Sequence, residues 1–259
     1  MGELISPNGI STILFDLDGT LRHSRPSSIE TFFALAAEMG IPDKPERRRQ
    51  ALRWVHYYWA DSKELLEDQE RFSEKDELFW TNHARLNLIA FGCQEEQAAV
   101  LAPEIRRRMA EEHQPEEWIP PETYEILEAL QHSGFRLGVL SNRTEPYRET
   151  LESSGLLSYF DLVLAAGEVR VWKPDPRVFQ HALERLNVRP EETLYVGDNY
   201  FADVVGAQAA GISPVLLDPD GIFPEASCPV IRSLKDLEDI LSAEKHLIPA
   251  RSSSTNLRE

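Results

Sequence analysis

Four groups of polar residues follow short apolar runs of the sequence, and they have the chemistry of a reactive site. They are Asp16-Leu17-Asp18-Gly19-Thr20, Ser141-Asn142, the loop holding Lys173-Pro174, and Gly197-Asp198 with Asp203 further on. Together they supply several carboxylates, one hydroxyl and one ammonium group. Carboxylates brought together without compensation have raised pKa values, which a divalent cation relieves. Magnesium suits a site with few carboxylates, water and a substrate phosphate, so the pattern predicts a Mg²⁺ site.

The apolar runs are typical of buried β-strands, and helical patterns lie between them. The predicted strands cover residues 11–15, 136–140, 162–164, 193–196 and 214–217, and the predicted helices cover 121–131, 145–152, 176–186 and 202–210. This alternation predicts an α/β fold with a doubly wound, mostly parallel sheet, a Rossmann-like core. Ligands bind beyond the carboxyl ends of the strands in such sheets, so we expect the four polar groups to converge there.

The segment 25–114 has no convincing strand pattern and predicts several helices. Its aromatic residues, among them Trp54, Tyr57 and Tyr58, recur at helical spacing and are interpreted as the core of a helical module rather than a ligand site. The module is therefore predicted as an insertion into a core made of residues 1–24 and 115–245. The polar, Ser-rich segment 246–259 is predicted to be disordered.

Charge and composition exclude several classes of protein. The formal net charge of −17 disfavours nucleic acid as a partner, and the arginine runs at 47–49 and 106–108 are interpreted as solvated helix faces. No apolar run is long enough to span a membrane, and the beginning of the sequence lacks the pattern of a secretory signal. Two widely separated cysteines favour reduced thiols in a cytoplasmic protein. The sequence does not indicate the oligomeric state.

The motifs resemble those of the haloacid dehalogenase-like superfamily of hydrolases. The segment from Phe15 to Leu21 is similar to the first motif, Ser141 to the second, Lys173 in Trp172-Lys173-Pro174-Asp175-Pro176 to the third, and Gly197-Asp198-Asn199 with Asp203 to the fourth. The resemblance covers about residues 10–212, and the helical insertion resembles the family's cap of the first type. It implies a phosphatase acting on a small phosphorylated metabolite, which would be drawn into this acidic protein by the metal ion.

The chemistry of the residues and the resemblance together imply a role for each group. Asp16 would attack phosphorus and form an aspartyl-phosphate, while Asp18 would act as general acid and then as general base. The remaining assignments are as follows: phosphate binding by Ser141, Lys173 and Asn142; Mg²⁺ binding by the carboxylates of Asp16 and Asp198 and the backbone carbonyl of Asp18; supporting positions at Thr20, Asn199 and Asp203; and candidate substrate contacts at Arg22 and His23.

Three alternatives remain open beside a Mg²⁺-dependent phosphomonoester hydrolase. A phosphomutase would use the same residues and differ only in returning the phosphoryl group to its substrate. A 2-haloacid dehalogenase needs no metal and, by the resemblance, lacks the second aspartate of the first motif, so Asp18 counts against it. A non-catalytic binding protein is disfavoured because the predicted catalytic residues are all present.

Overall fold

The computed structural model of the protein describes residues 9–73 and 76–243, and within these residues the main sheet has six parallel strands. The predicted tail 246–259 lies outside the described residues. In chain order, the strands are β1 (Thr12–Phe15), β2 (His23–Arg25), β3 (Glu116–Trp118), β4 (Arg136–Ser141), β5 (Leu162–Ala165), β6 (Thr193–Gly197), β7 (Ser213–Leu217) and β8 (Val230–Ile231). The main sheet has the order β5-β4-β1-β6-β7-β8, and β2 and β3 form a separate antiparallel pair.

The helices lie before, between and after the strands of the sheet. They are α1 (Ser28–Glu38), α2 (Pro45–Tyr58), α3 (Lys63–Arg71), α4 (Glu77–Ala90), α5 (Glu95–Glu112), α6 (Pro121–His132), α7 (Arg148–Ser153), α8 (Ala166–Val169), α9 (Pro176–Leu186), α10 (Gly206–Ala209) and α11 (Asp236–Ala243). The predicted α/β class with a parallel sheet is confirmed. Within the described ranges, no helix combines the length and apolar character needed to cross a lipid bilayer.

Strand β1 lies in the middle of the sheet and fixes the place where the chemistry converges. Ile13 and Phe15 are buried against one layer of helices, and Leu14 is buried against the other. Burial on both faces explains why the strand is a continuous apolar run. Phe15 pairs with Val139 of β4 and Val196 of β6, so the residues that follow these three strands emerge side by side at one edge.

Two predicted helices differ from the structure. The helix predicted at 145–152 begins at Arg148, because Glu145 precedes Pro146 and a residue before proline is disfavoured in the helical region. The helix predicted at 202–210 is divided into a π-helical turn, Tyr200–Val205, and α10. π-Helical turns occur frequently at functional sites, and this one carries Asp203.

The five helices α1 to α5 pack around apolar side chains of their own, and we call them the helical module. Phe33, Leu88, Phe91 and Ile105 are buried in one cluster, and Tyr58, Leu65 and Phe79 are buried in another. The start of α1 is fixed by Ser27, whose hydroxyl accepts from the N–H of Glu30 while the Glu30 carboxylate accepts from the N–H of Ser27. The proposed domain boundaries, 1–24 with 115–245 and 25–114, stay a prediction.

Acidification should destabilise the helical module through His83 of α4. Burial lowers the pKa of His83 from its ordinary 6.5 to about 4. The unfolded chain therefore takes up a proton first, and stability that is complete above pH 6.5 is lost as the pH falls toward 4. Between about pH 7.5 and pH 5, we expect the wild type to lose on the order of 2 kcal/mol more unfolding free energy than His83→Gln.

Urea denaturation at the two pH values measures this difference. His181→Gln is the matched control, because the His181 side chain is 43% exposed. Equal pH dependence of the wild type and His83→Gln would contradict the expectation.

Candidate active site

A buried ammonium group joins three parts of the chain at the carboxyl edge of the sheet. The Lys173 Nζ atom lies 2.6 Å from Asp16 Oδ1, 2.6 Å from Asp203 Oδ1 and 2.9 Å from the Tyr195 hydroxyl. Burial acts to lower the pKa of Lys173, but the charges of the two carboxylates outweigh burial, so the pKa is raised and the group stays charged. Lys173 is 2% exposed, so these contacts replace nearly all of its hydration.

Asn142 holds the backbone of Lys173 in place. Its side-chain NH₂ donates to the Lys173 carbonyl at 2.9 Å, and its side-chain oxygen accepts from the Lys173 N–H at 2.7 Å. The Asn142 side chain, which was predicted to bind phosphate, is therefore hydrogen-bonded to the backbone of the loop that carries Lys173. Ser141, the other half of that pair, ends β4 and lines the pocket described below.

Three carboxylates converge beside the lysine. Oxygen atoms of Asp16, Asp198 and Asp203 all lie within 4.8 Å of one another. Burial raises the pKa of Asp16 to about 7, although Lys173 acts in the opposite sense. Burial and the charges of Asp16 and Asp203 also raise the pKa of Asp198 well above its usual value. Such a group of hard oxygen donors, with one ammonium for three carboxylates, fits a divalent metal ion.

Both oxygen atoms of the Asp203 carboxylate accept hydrogen bonds. Its Oδ1 accepts from Lys173 and its Oδ2 accepts from the Asn199 N–H at 2.9 Å. Asn199 also begins the π-helical turn, since its side-chain oxygen accepts from the N–H groups of Phe201 and Ala202. Asp203 therefore contacts both Lys173 and Asn199, the other residue predicted to have a supporting role.

The turn after β1 brings the chain close to Asp198. Gly19 has a φ of +96°, and a Cβ atom at that position would lie 2.4 Å from Asp198 Oδ2. The next residue, Thr20, donates its hydroxyl to Asp198 Oδ1 at 3.2 Å. Glycine is required here both for the backbone conformation and for the space that the carboxylate occupies.

Two guanidinium groups hold the carboxylate of Asp18. Arg22 donates to Asp18 Oδ1 at 2.7 and 3.1 Å, and Arg143 donates to Oδ2 at 2.7 Å and to Oδ1 at 3.1 Å. Burial acts to raise the pKa of Asp18, but the hydrogen bonds and charges of Arg143 and Arg22 outweigh it and hold the pKa below its usual value. Arg22 also pairs with Glu117 on β3.

The converging groups face a pocket of about 520 Å³, which we call the central pocket. Its core-side wall contains the predicted residues Asp16, Asp18, Ser141, Asn142, Lys173, Asp198, Asn199 and Asp203, together with Arg143. The helical module supplies Ser28, Val55, His56 and Trp59. Arg22 and His23 do not line this pocket; the His23 ring lies 5.7 Å from the Trp118 ring and lines a neighbouring space.

Several residues of the site were not predicted from the sequence: Arg143, Tyr195 and the residues of the helical module that line the central pocket. Arg143 directly follows Ser141-Asn142, and that position was the only available signal for it. Tyr195 lies inside a strand and was interpreted only as part of an apolar run, although its hydroxyl donates to the Leu140 carbonyl at 3.0 Å and contacts Lys173. The contribution of Trp59 depends on how the module sits over the sheet, which the local sequence does not encode.

Comparisons with known proteins place the chain among similar sequences and structures. The family model of haloacid dehalogenase-like hydrolases matches residues 10–211. A phosphoserine phosphatase of Thermus thermophilus is 33% identical over 249 residues, which cover 90% of this chain and 98% of that protein. A solved HAD phosphatase from Thermococcus onnurineus has a TM-score of 0.54 and 26% identity, with coverage of 91% and 100%. A 2-haloacid dehalogenase from Pseudomonas syringae has a TM-score of 0.52 and 28% identity, with coverage of 90% and 99%.

Replacing Gly19 by alanine should impair metal binding through the displacement of Asp198. We expect Gly19→Ala to weaken the affinity for Mg²⁺ by about tenfold or more, because its Cβ would push the carboxylate away. Isothermal titration with Mg²⁺ measures this change directly.

Gly134→Ala is the matched control for this substitution. Gly134 has a similar φ of +85°, but a Cβ there would meet open space. Gly134→Ala should therefore lower the free energy of unfolding by roughly 1 kcal/mol, because a residue with a Cβ disfavours a positive φ, and it should leave the metal affinity unchanged. Equal Mg²⁺ affinities of the two variants would contradict the role given to the close approach.

Proposed function

The chain belongs to the haloacid dehalogenase-like hydrolase family, and we propose that it is a Mg²⁺-dependent phosphatase that hydrolyses a small phosphorylated metabolite through an aspartyl-phosphate. The family membership confirms the resemblance of the motifs. One observation carries the proposal: Asp16 lies against Lys173 in a pocket that also contains Asp18, Ser141 and Asp198. The free thiols of Cys93 and Cys228 are in keeping with a cytoplasmic protein.

In the first step, a carboxylate oxygen of Asp16 forms a bond to phosphorus as the bond from phosphorus to the ester oxygen breaks. The hydrogen bond from Lys173 to Asp16 Oδ1, at 2.6 Å, helps to orient this carboxylate. Asp18, two residues on, gives its proton to the departing oxygen. Lys173 and Ser141 hold the phosphoryl oxygens as their charge is redistributed.

In the second step, water attacks the aspartyl-phosphate and the Asp16 carboxylate is released. Asp18, now ionised, takes a proton from that water, so the proton given in the first step is recovered. The contacts with Arg22 and Arg143 favour the ionised form that this step needs and oppose the protonated form that the first step needs, so the bound substrate must weaken them before Asp18 can act as an acid.

The metal ion would be held by the carboxylates of Asp16 and Asp198 and by the backbone carbonyl of Asp18. When bound, Mg²⁺ supplies positive charge that permits both carboxylates to be ionised and attracts the phosphoryl group of the substrate. Asp203 keeps the Lys173 ammonium oriented from outside this set of ligands.

Hydrolysis of p-nitrophenyl phosphate tests the proposed mechanism. We expect turnover that requires Mg²⁺, stops with a chelator, and falls more than about 1,000-fold in Asp16→Asn because the nucleophile is lost. Asp18→Asn should lower kcat about 100-fold or more through loss of proton transfer. Asp161→Asn, whose side chain is 53% exposed, is the control and should leave turnover unchanged.

The products of the same reaction separate the competing functions. Stoichiometric inorganic phosphate from phosphomonoesters supports a phosphatase, whereas phosphoryl transfer within a sugar phosphate would indicate a mutase. Chloride release from a 2-haloacid without Mg²⁺ would overturn the proposal, although the presence of Asp18 counts against that activity.

Arg143 is a positioning residue for Asp18. We expect Arg143→Gln to lower kcat/KM about tenfold, because the Asp18 carboxylate loses one of the two groups that orient it. The effect on unfolding free energy should be small, since the Asp18 side chain is 43% exposed.

Steady-state kinetics and urea denaturation together measure these two effects of Arg143→Gln. The exposed Arg148 provides the control variant Arg148→Gln, which should match the wild type. A kcat/KM for Arg143→Gln equal to that of the wild type would contradict the positioning role.

A further inference from the structure

The helical module contains a cavity of about 400 Å³ between α1, α2, α4 and α5, which we call the module cavity. Its walls are mainly apolar, with contributions from Phe32, Val55, Trp59, Trp80 and Met109. This volume lies within the range of small-molecule sites, which combine apolar walls with a few polar groups.

Three of the polar groups in this wall have buried atoms without a hydrogen-bond partner among the described residues. They are His83 Nε2, Asn87 Oδ1 and Arg106 Nε. Asn87 is only 4% exposed. Leaving a buried polar atom unpaired is unfavourable, so three such atoms around one cavity indicate a place where a ligand completes the hydrogen bonding.

Arg106 differs from its two neighbours in the arginine run. Arg107 pairs with Glu104 and Glu111, and Arg108 pairs with Glu38 and Glu112, all on the exposed surface. Arg106 lines the module cavity, and no carboxylate of the described residues lies within ion-pair distance of it. The interpretation of the run as a solvated helix face is therefore wrong for Arg106.

The charge in the module cavity selects between classes of ligand. Arg106 supplies a permanent positive charge, and no Asp or Glu is among the described residues that line the cavity. An acceptor oxygen, especially of a carboxylate, would be stabilised there, whereas an ammonium group would have no partner of opposite charge. The Oδ1 atom of Asn87 can accept from a hydroxyl or amide N–H of the same ligand.

The module cavity adjoins the central pocket. Ser28, Val55 and Trp59 line both spaces, so the two are separated by no more than one layer of side chains. A leaving group that passes these shared residues from a phosphoryl group beside Asp16 would reach the wall that carries Arg106.

We propose that the module cavity receives the leaving group of the substrate, and that this group is a largely apolar alcohol bearing a carboxylate or similar acceptor for Arg106. The inference rests on the proposed phosphatase function and specifies its substrate class. It also implies discrimination against leaving groups with an ammonium, even though one relative is named for phosphoserine.

Three synthetic esters test the inference: 4-carboxybenzyl phosphate, benzyl phosphate and 4-(aminomethyl)benzyl phosphate. The methylene group insulates the ester oxygen from the para substituent, so the three differ chiefly in the charge presented to the module cavity. We expect the wild type to favour the carboxy ester over the aminomethyl ester about tenfold or more in kcat/KM. The net charge of −17 opposes this order at long range, so the order would report local recognition.

Arg106→Gln should reduce the preference for the carboxy ester over the aminomethyl ester to within about threefold, because the glutamine amide carries no charge. Arg107→Gln, an exposed neighbour on the same helix, should retain the preference of the wild type. A wild type that hydrolyses all three esters equally, or an Arg106→Gln variant with the preference intact, would overturn the inference but not the phosphatase function. No Mg²⁺-dependent hydrolysis of any ester, p-nitrophenyl phosphate included, would overturn both.

Binding of the product alcohol 4-(hydroxymethyl)benzoate gives a readout that is independent of turnover. Because Trp59 and Trp80 line the module cavity, binding should change tryptophan fluorescence, with an affinity about tenfold weaker in Arg106→Gln. Equal affinity in the two proteins would overturn the inference. If Arg106→Gln fails to fold, the wild type alone provides the test. It must bind 4-(aminomethyl)benzyl alcohol more weakly than 4-(hydroxymethyl)benzoate.

Discussion

The contact between the Lys173 ammonium and the carboxylates of Asp16 and Asp203 is the interaction on which the site depends. Removing an ammonium and two carboxylates from water is costly unless every remaining hydrogen-bonding direction is used. Two further hydrogen bonds reduce this cost, one from Lys173 to the Tyr195 hydroxyl and one from the Asn199 N–H to Asp203. A strand end, a loop and a π-helical turn are thereby held together by one buried charge.

The burial of strand β1 explains which parts of the site could be predicted from the sequence. Strand β1 is buried on both faces, so it leaves an apolar run that ends abruptly at Asp16. That signal is local, and the regular alternation of strands and helices placed the other polar groups on the same edge. The helical pattern of residues 202–210 did not show that the segment divides into a π-helical turn and α10.

The groups that were missed depend on long-range geometry of another kind. Arg143 reaches Asp18 across 125 positions, and nothing in its immediate surroundings distinguishes it from an exposed loop arginine. Arg106 was assigned to a solvated helix face because the arginine run lies in a helical, Glu-rich segment. One step along a helix turns a side chain by about 100°, so a run of like charges necessarily spans more than one face. The fold class follows from periodicity, but the direction of a single side chain in such a run does not.

The antiparallel pairing of β2 and β3 has a consequence for how this architecture varies. Arg25 is paired with Glu116, so the chain leaves the core and returns to it at neighbouring positions, about 5 Å apart between paired Cα atoms. A segment whose two ends meet can be lengthened, shortened or exchanged for another without changing the register of the parallel sheet. Exchange of the helices at these two strands would therefore keep the reactive edge of the sheet, but it would replace the wall of the central pocket that Ser28, Val55, His56 and Trp59 supply.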